Sequence, residues 1–560
     1  MSSKENSRKL RSVKVWWLVL YLLVALGCFR GSGEASIRNV ILMIPDGMSP
    51  AAVTLARWYQ NGMPLAMDEM ACGMVRTYSA DAPIADSAPA ATAYATGFKS
   101  HTGYIGVLPD QATMPGEMPI RPEDARRPVA NILEAARLAG KSTGLVFTCE
   151  APHATPADFA AHYPDRKNYD DILEQMVYQK IDVVLGGGAY FLTPAARKDG
   201  EDLVSELKRM GYEYITDPYQ LARSTSSRIW GAFAAKDMAY DFDRDPDKEP
   251  SLAEMTKKAI EVLSRNPRGF FLMVEGSKID WASHANDPIG VISDTLAFDK
   301  AVKVALDFAK SSRDTVVIVV ADHANGGISI GDRASSNNYD KLTLEEIIGP
   351  LRKARLTGEG VEKKLSSDRS NIREVMSIYY GIDDLTDEEV EEIKKARAGS
   401  LNYTVGPMMS KRAHIGWTTN GHTGDDVVLY VYAPHGDRPT GVIDNTDIAK
   451  YMERQLGLNL AVTTQQLFVP ASELESRGLK VSVDRTNESN PVLLIEKNGA
   501  VVKFPVNKNY FIFGSGSMEM DGVTVFNGRN WFIPRKGLNF ILDLRSEYRA
   551  REQWHGMSAR

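Results

Sequence analysis

From Arg38 onward, short apolar runs alternate with stretches of helical periodicity, a pattern that predicts an α/β fold with a central, mostly parallel sheet sandwiched by helices. The runs predicted as strands are Val40 to Ile44, Thr143 to Thr148, Ile181 to Leu185, Phe270 to Val274, Thr315 to Val320 and Val427 to Tyr432. In such a sheet the chemistry collects at the carboxyl ends of the strands. Between Asp332 and about Arg412 the strand signals fade and the sequence becomes charged and helix-rich. Thr386-Asp-Glu-Glu389 spells a capping box that opens a helix to about Arg397. This stretch reads as an insertion forming a lid, a crown or a dimer contact, although charge runs are more often only a solvated face.

After about Val469 the pattern turns β-rich, with runs at Pro491 to Ile495, Ala500 to Phe504, Tyr510 to Phe513, Val523 to Phe526 and Trp531 to Ile533. Asn498-Gly499, Asp521-Gly522 and Asn527-Gly528 mark turns between them. The expected organisation is an amino-terminal segment over 1–35, a catalytic domain over 36–468, a small β-domain over 475–545 and a charged tail over 546–560.

A chain of 560 residues, 43% hydrophobic and 25% charged, has the composition of a globular protein with room for one large and one small domain. The formal charge of -6, without a basic stripe interleaved with aromatics, gives no case for nucleic-acid binding. At the amino terminus, Lys4, Arg8, Lys9, Arg11 and Lys14 precede an uncharged run from Val15 to Phe29. That run is shorter than the roughly 20 residues of a bilayer span and has the form of an export signal. Gly33-Glu34-Ala35 offers a cleavage site before Ser36, while Ala25-Leu26-Gly27-Cys28 resembles a lipoprotein box. An exported protein is expected, in the periplasm, the envelope or the medium, touching a membrane only through an uncleaved or lipidated amino terminus. Cys72 and Cys149 make no disulfide framework and read as buried thiols rather than a pair.

Asp86-Ser87-Ala88 opens an Ala-rich helix that ends at Gly97, so Ser87 lies in a first turn whose free N–H groups favour an anion. An N-cap pair without catalytic meaning has the same appearance. Asp46 follows an apolar strand and precedes Gly47, a common setting for a metal-binding carboxylate and equally for a turn. Glu275 ends another strand, and Asp280 and His284, four apart, share a helix face that suits a metal or a structural ion pair. Asp322 and His323 follow a third strand, where adjacent side chains point apart unless the chain turns. His422, in Gly421-His-Thr-Gly424, adds an imidazole; Thr155, in His153-Ala-Thr-Pro156, adds a hydroxyl; Arg166 adds a guanidinium that fits two phosphate oxygens.

Taken in order, these clusters resemble the alkaline phosphatase family over most of Arg38 to about Phe468. The resemblance implies two zinc ions and one magnesium. By position, Asp280, His284 and His422 match ligands of the first zinc, and Asp46, Asp322 and His323, with Ser87, match those of the second. Asp46 would bridge to magnesium, shared with Thr155 and Glu275; mixed imidazole sets suit zinc, and an all-oxygen set suits magnesium. The implied reaction is hydrolysis of phosphate monoesters through a phosphoserine at Ser87, primed by zinc rather than by a histidine base, with Arg166 holding two phosphate oxygens. Asp86 would orient Ser87 or Arg166. His153 and Trp281 stand where some relatives carry Asp and Lys; His153 is expected to contact a magnesium-bound water, while Trp281 cannot supply a lysine's charge to phosphate. Relatives are commonly homodimers. More faintly, Val481 to Leu542 resembles the copper-amine-oxidase-like domains appended to bacterial surface proteins, without copper ligands. Phosphodiesterase activity on the same scaffold and a non-catalytic envelope phosphate-binding module are the competing readings.

Overall fold

A computed structural model describes residues 36–544; the predicted export segment over 1–35, with Cys28, and the charged tail over 546–560 lie outside the described residues. Ten strands form the central sheet: β1 (Asn39–Pro45), β2 (Ala71–Arg76), β3 (Ser142–Glu150), β4 (Val183–Gly187), β5 (Glu213–Ile215), β6 (Ile229–Ala232), β7 (Phe270–Gly276), β8 (Thr315–Val320), β9 (Val427–Tyr432) and β10 (Gly441–Asp444). Their spatial order is β10-β2-β9-β8-β1-β7-β3-β4-β6-β5. Only β9 runs antiparallel to its neighbours. Every residue of β1, β7 and β8 is buried, as continuous apolar runs require in a sheet covered on both faces.

These three central strands set the site. Parallel pairing aligns Ile44 with Glu275 and Met43 with Val319, so the carboxyl ends of β1, β7 and β8 finish side by side. Helix α1 (Ser87–Thr96) is buried at all ten positions, and Gly97 ends it in the left-handed conformation at φ 78°. Short helices α2 (Ala154–Asp158) and α4 (Lys278–His284), with α3 (Tyr169–Tyr178) between them in sequence, carry or flank the remaining functional residues.

The 332–412 stretch forms helices Leu344–Lys353, Gly358–Glu362, Ile372–Val375, Asp387–Lys395 and Asn402–Arg412. Their apolar faces share a cluster that includes Ile348, Leu351, Met376, Tyr380 and Val405 with Ile289 and Ile292 of the helix Pro288–Ser312. Polar ties fix the stretch in place: Tyr380 donates to Asp287 at 3.0 Å, and Thr357 Oγ1 to Asp243 at 2.5 Å.

Beyond Val469, strands Lys480–Asp484, Val492–Lys497, Ala500–Pro505, Tyr510–Phe513 and Gly516–Glu519 form an antiparallel meander in sequence order. Asn498-Gly499, at φ 55° and 80°, makes the two-residue turn between the second and third. Leu493, Val502 and Phe504 of the sheet pack on Leu538 and Ile541 of the helix Arg535–Asp543. Cys72 and Cys149 are both free, on β2 and β3. No helix among the described residues is long and apolar enough to cross a membrane.

Candidate metal and phosphate site

The chain turns as it leaves β8, and Asp322 and His323 therefore face the same space: Asp322 Oδ2 lies 3.1 Å from His323 Nε2. The same nitrogen is 3.1 Å from Ser87 Oγ and 3.6 Å from Asp46 Oδ1. One imidazole and three oxygen donors thus converge from β1, β8 and the mouth of α1. A Ser–His pair acting alone would need a third group on Nδ1 to orient the ring, and His323 Nδ1 has no hydrogen-bond partner.

A second group adjoins the first. Asp280 and His284 share a face of α4, with Asp280 Oδ2 3.2 Å from His284 Nε2, and His422 Nε2 lies 3.2 Å from His284 Nε2. The outer nitrogens are engaged: His284 Nδ1 donates to the Asn420 carbonyl at 2.6 Å and His422 Nδ1 to that of Ala85 at 2.8 Å, which turns both Nε2 atoms inward. His422 is placed by a short antiparallel pairing with Asn325, whose amide also donates to Asp280 Oδ1 at 2.6 Å. Burial opposes ionisation of Asp280, yet His284, His323 and His422 hold it below the ordinary carboxylate value. His284 is raised to about 8 because Asp280 outweighs burial.

The third group is oxygen-rich. Asp46, Thr155 and Glu275 are fully buried, and both Asp46 oxygens, Thr155 Oγ1 and Glu275 Oε1 have no hydrogen-bond partner. Leaving such atoms unpaired in a protein interior costs free energy that a cation would recover. Burial, with Asp322, Asp280 and Glu275 nearby, raises the Asp46 carboxyl well above its usual value. Burial also raises Glu275, to about 8. Cys149 joins this group, its Sγ 3.3 Å from Glu275 Oε2, a contact that sequence reasoning did not find. The clusters Asp280–His284–His422 and Asp46–Asp280–His323 have the donor sets zinc takes, imidazole with carboxylate. Around Glu275 the unpaired oxygens of Asp46 and Thr155 suit a hard cation, while Cys149 and His153 also lie within reach of Glu275.

Facing these groups, Asp86 caps α1 with its backbone while its carboxylate pairs with the Arg166 guanidinium and accepts from Gly103 N at 3.2 Å. Burial would raise the Asp86 carboxyl, but Arg166 holds it below its ordinary value. Arg166 also contacts His153 Nε2 at 3.1 Å, and burial together with that guanidinium pushes the His153 imidazole down to about 3. Trp281 stands edge-on to His153, 5.7 Å between centroids. Lys278 does not replace the charge missing at Trp281. Its ammonium is buried against the Trp281 ring and pairs with Asp237 at 2.6 Å.

The family model for alkaline phosphatases matches residues 37–458. Alkaline phosphatase 3 of Bacillus subtilis is 36% identical over 451 residues, covering 77% of this chain and 91% of its own length. The crystal structure of Thermus thermophilus alkaline phosphatase superimposes with a TM-score of 0.68 at 30% identity, covering 77% of this chain and 95% of that one. A variant of the alkaline phosphatase from the Antarctic bacterium TAB5, 25% identical with a TM-score of 0.54 over 76% of this chain and 99% of that one, is described with magnesium in its M3 site.

Proposed function

This chain belongs to the alkaline phosphatase family and is an enzyme of it, and we propose that it hydrolyses phosphate monoesters through a phosphorylated Ser87. The observation that carries this reading is Ser87 Oγ at the mouth of a buried helix, 3.1 Å from His323 Nε2, with the neighbouring Asp86 paired to Arg166. Asp280, His284 and His422 would hold one zinc ion; Asp46, Asp322 and His323 a second; Asp46, Thr155 and Glu275 a magnesium ion. Magnesium bound in a His-to-Asp variant of the TAB5 enzyme supports magnesium as one of the cations by analogy. When bound, the cations stabilise the charge on entering and leaving oxygens and make the serine hydroxyl and a water acidic enough to react at neutral to alkaline pH.

The residues of the chain do the rest. Arg166 exchanges part of its pairing with Asp86 for two phosphate oxygens, a match its planar fork makes in one geometry. The N–H groups at the start of α1 add positive potential on the same side. Ser87 Oγ bonds to phosphorus as the bond to the alcohol oxygen breaks; the serine proton passes to solvent, and the alcohol leaves protonated. Water then attacks phosphorus from the vacated side, and inorganic phosphate departs as Ser87 regains its proton. Export and a homodimer belong to the same reading, supported by the basic residues ahead of Val15 to Phe29 and by the helical insertion.

The test is Ser87→Ala in the metal-replete protein. Turnover of an aryl phosphate should fall by about a thousandfold or more while zinc and magnesium content stay at the parent level, and acid-quenched parent, but not variant, should carry phosphate on the peptide containing Ser87. Full activity with unchanged metal would overturn the nucleophile. A higher kcat/KM for the methyl diester than for the monoester would favour the diesterase reading.

A further inference from the structure

The segment 480–544 lies outside the part of the chain that the family model matches, yet two of its turns bond to residues that hold the backbone carrying Arg166. Arg166 sits on a ribbon running from His162 to Asn168. On one side, the ribbon pairs with the segment at Gly103 to Ile105: Tyr163 and Ile105 exchange backbone hydrogen bonds of 2.9 Å, and Arg166 N donates to Gly103 O at 2.7 Å. At its start, Gln175 of α3 brackets His162, accepting from its N–H at 2.9 Å and donating to its carbonyl at 3.3 Å. At its end, Asn168 donates to Asp171 in the first turn of α3 at 2.6 Å.

Both ends are gathered by one residue. Asn507, 1% exposed and at φ 62°, donates to Asp171 Oδ1 at 2.7 Å and Glu174 Oε2 at 2.9 Å and accepts from Gln175 Nε2 at 3.1 Å. Its neighbour Lys508 completes the charge balance, pairing with Glu174 and, at 2.5 Å, with Glu201. A second arm holds the opposite side. Asn527 donates to the Arg126 carbonyl at 2.6 Å, and a Cβ built on the Gly528 that follows it would lie 3.8 Å from Pro164 Cγ of the ribbon. Arg529 and Arg126 both pair with Asp110, which also accepts from Tyr104 beside Gly103, at 2.7 Å.

We propose that the carboxy-terminal β-layer is a positioning element for phosphate binding, in which Asn507, seconded by Asn527, fixes the ribbon His162 to Asn168 and thereby the orientation of the Arg166 guanidinium. An arginine has a long flexible stem, and its fork recognises two phosphate oxygens only when the backbone beneath it is fixed; a displacement of about 1 Å at such a site costs on the order of a hundredfold in rate. The proposal rests on the reading of Arg166 as a phosphate ligand.

The experiment compares holoenzyme variants Asn507→Gly, Asn527→Ser, Arg166→Ala, Val502→Ala and the double variant Asn507→Gly/Arg166→Ala. Glycine keeps the left-handed backbone at 507 while removing the side chain. Inhibition by inorganic phosphate, KM and kcat for an aryl monoester, zinc and magnesium content, and Tm are measured for each. Asn507→Gly is expected to raise the inhibition constant of phosphate and KM about tenfold with metal content unchanged, and to add nothing on the Arg166→Ala background. Val502→Ala, a cavity in the core of the same sheet, is expected to lower Tm and leave phosphate inhibition alone. Should Asn507→Gly not fold, Asn527→Ser reads the second arm with the same expectation. The proposal is overturned if the foldable variants inhibit like the parent, if the effect persists without Arg166, or if Val502→Ala reproduces it. Unchanged inhibition in Arg166→Ala itself would remove the phosphate-ligand role and the proposal with it, an outcome separate from failure of the asparagine variants alone.

Discussion

Gly47 shows how narrow the tolerances of the site are. Its φ is 69°, and a Cβ built there would lie 2.6 Å from Asp280 Oδ1 and 2.8 Å from Asp280 Cα. Gly47→Ala must therefore strain the turn or push Asp280 away from His284 and His422. We expect kcat/KM to fall by about a hundredfold together with a loss of bound zinc, read by steady-state kinetics beside elemental analysis. Asp46, Glu275, Asp322 and His323 were legible in the sequence because each stands at the end of an apolar run, where a parallel sheet delivers reactive groups, and Asp280 and His284 because their four-residue spacing puts them on one helix face. Two features were not. The direction of Asp322 relative to His323 depends on a turn after β8 that strand periodicity does not encode. Cys149 reads as one more buried thiol, since its contact with Glu275, 126 positions away in sequence, is made only in the fold.

At the scale of elements, the central strands were readable and the peripheral ones were not. β1, β3, β4, β7, β8 and β9 are apolar enough to announce themselves, whereas β2, β5, β6 and β10 are short or mixed in character. Their pairing comes from a neighbour that offers an open edge more than from their own residues. Local capping chemistry was more transparent. Thr386 accepts from Glu389 N and Glu389 accepts from Thr386 N, as the motif predicts, over a helix that ends at Lys395 with its cap at Ala396. Because this helix lies in the insertion, away from the metal-binding groups, Thr386→Ala should cost about 1 kcal/mol in chemical denaturation and leave kcat/KM for aryl phosphate unchanged. A fall in kcat/KM at constant folded fraction would mean that the insertion takes part in catalysis.

For the molecule as a whole, the fully buried carboxylates at the ends of β1 and β7 tie fold stability to metal and to pH. In the metal-free protein burial raises Glu275 to about 8, far above its unfolded value of about 4.5, and raises Asp46 in the same direction. A folded value above the unfolded one means that the native state binds the proton more tightly. This contribution to stability is complete below about pH 4.5 and is lost as pH climbs through about 8. Bound cations reverse the preference, since they take the ionised forms, and their binding adds free energy to the native state alone, about 2.7 kcal/mol when the free ion stands at a hundred times its dissociation constant. Calorimetry on chelated and metal-replete protein between pH 5 and 8.5 should therefore show Tm of the chelated form falling with pH and the gap between the two widening. Glu275→Gln, which cannot ionise, should flatten the fall in the chelated form and lower the magnesium content of the replete one. A gap that stays constant across this range would mean that the buried carboxylates are already ionised without metal, and that something other than a cation balances their charge.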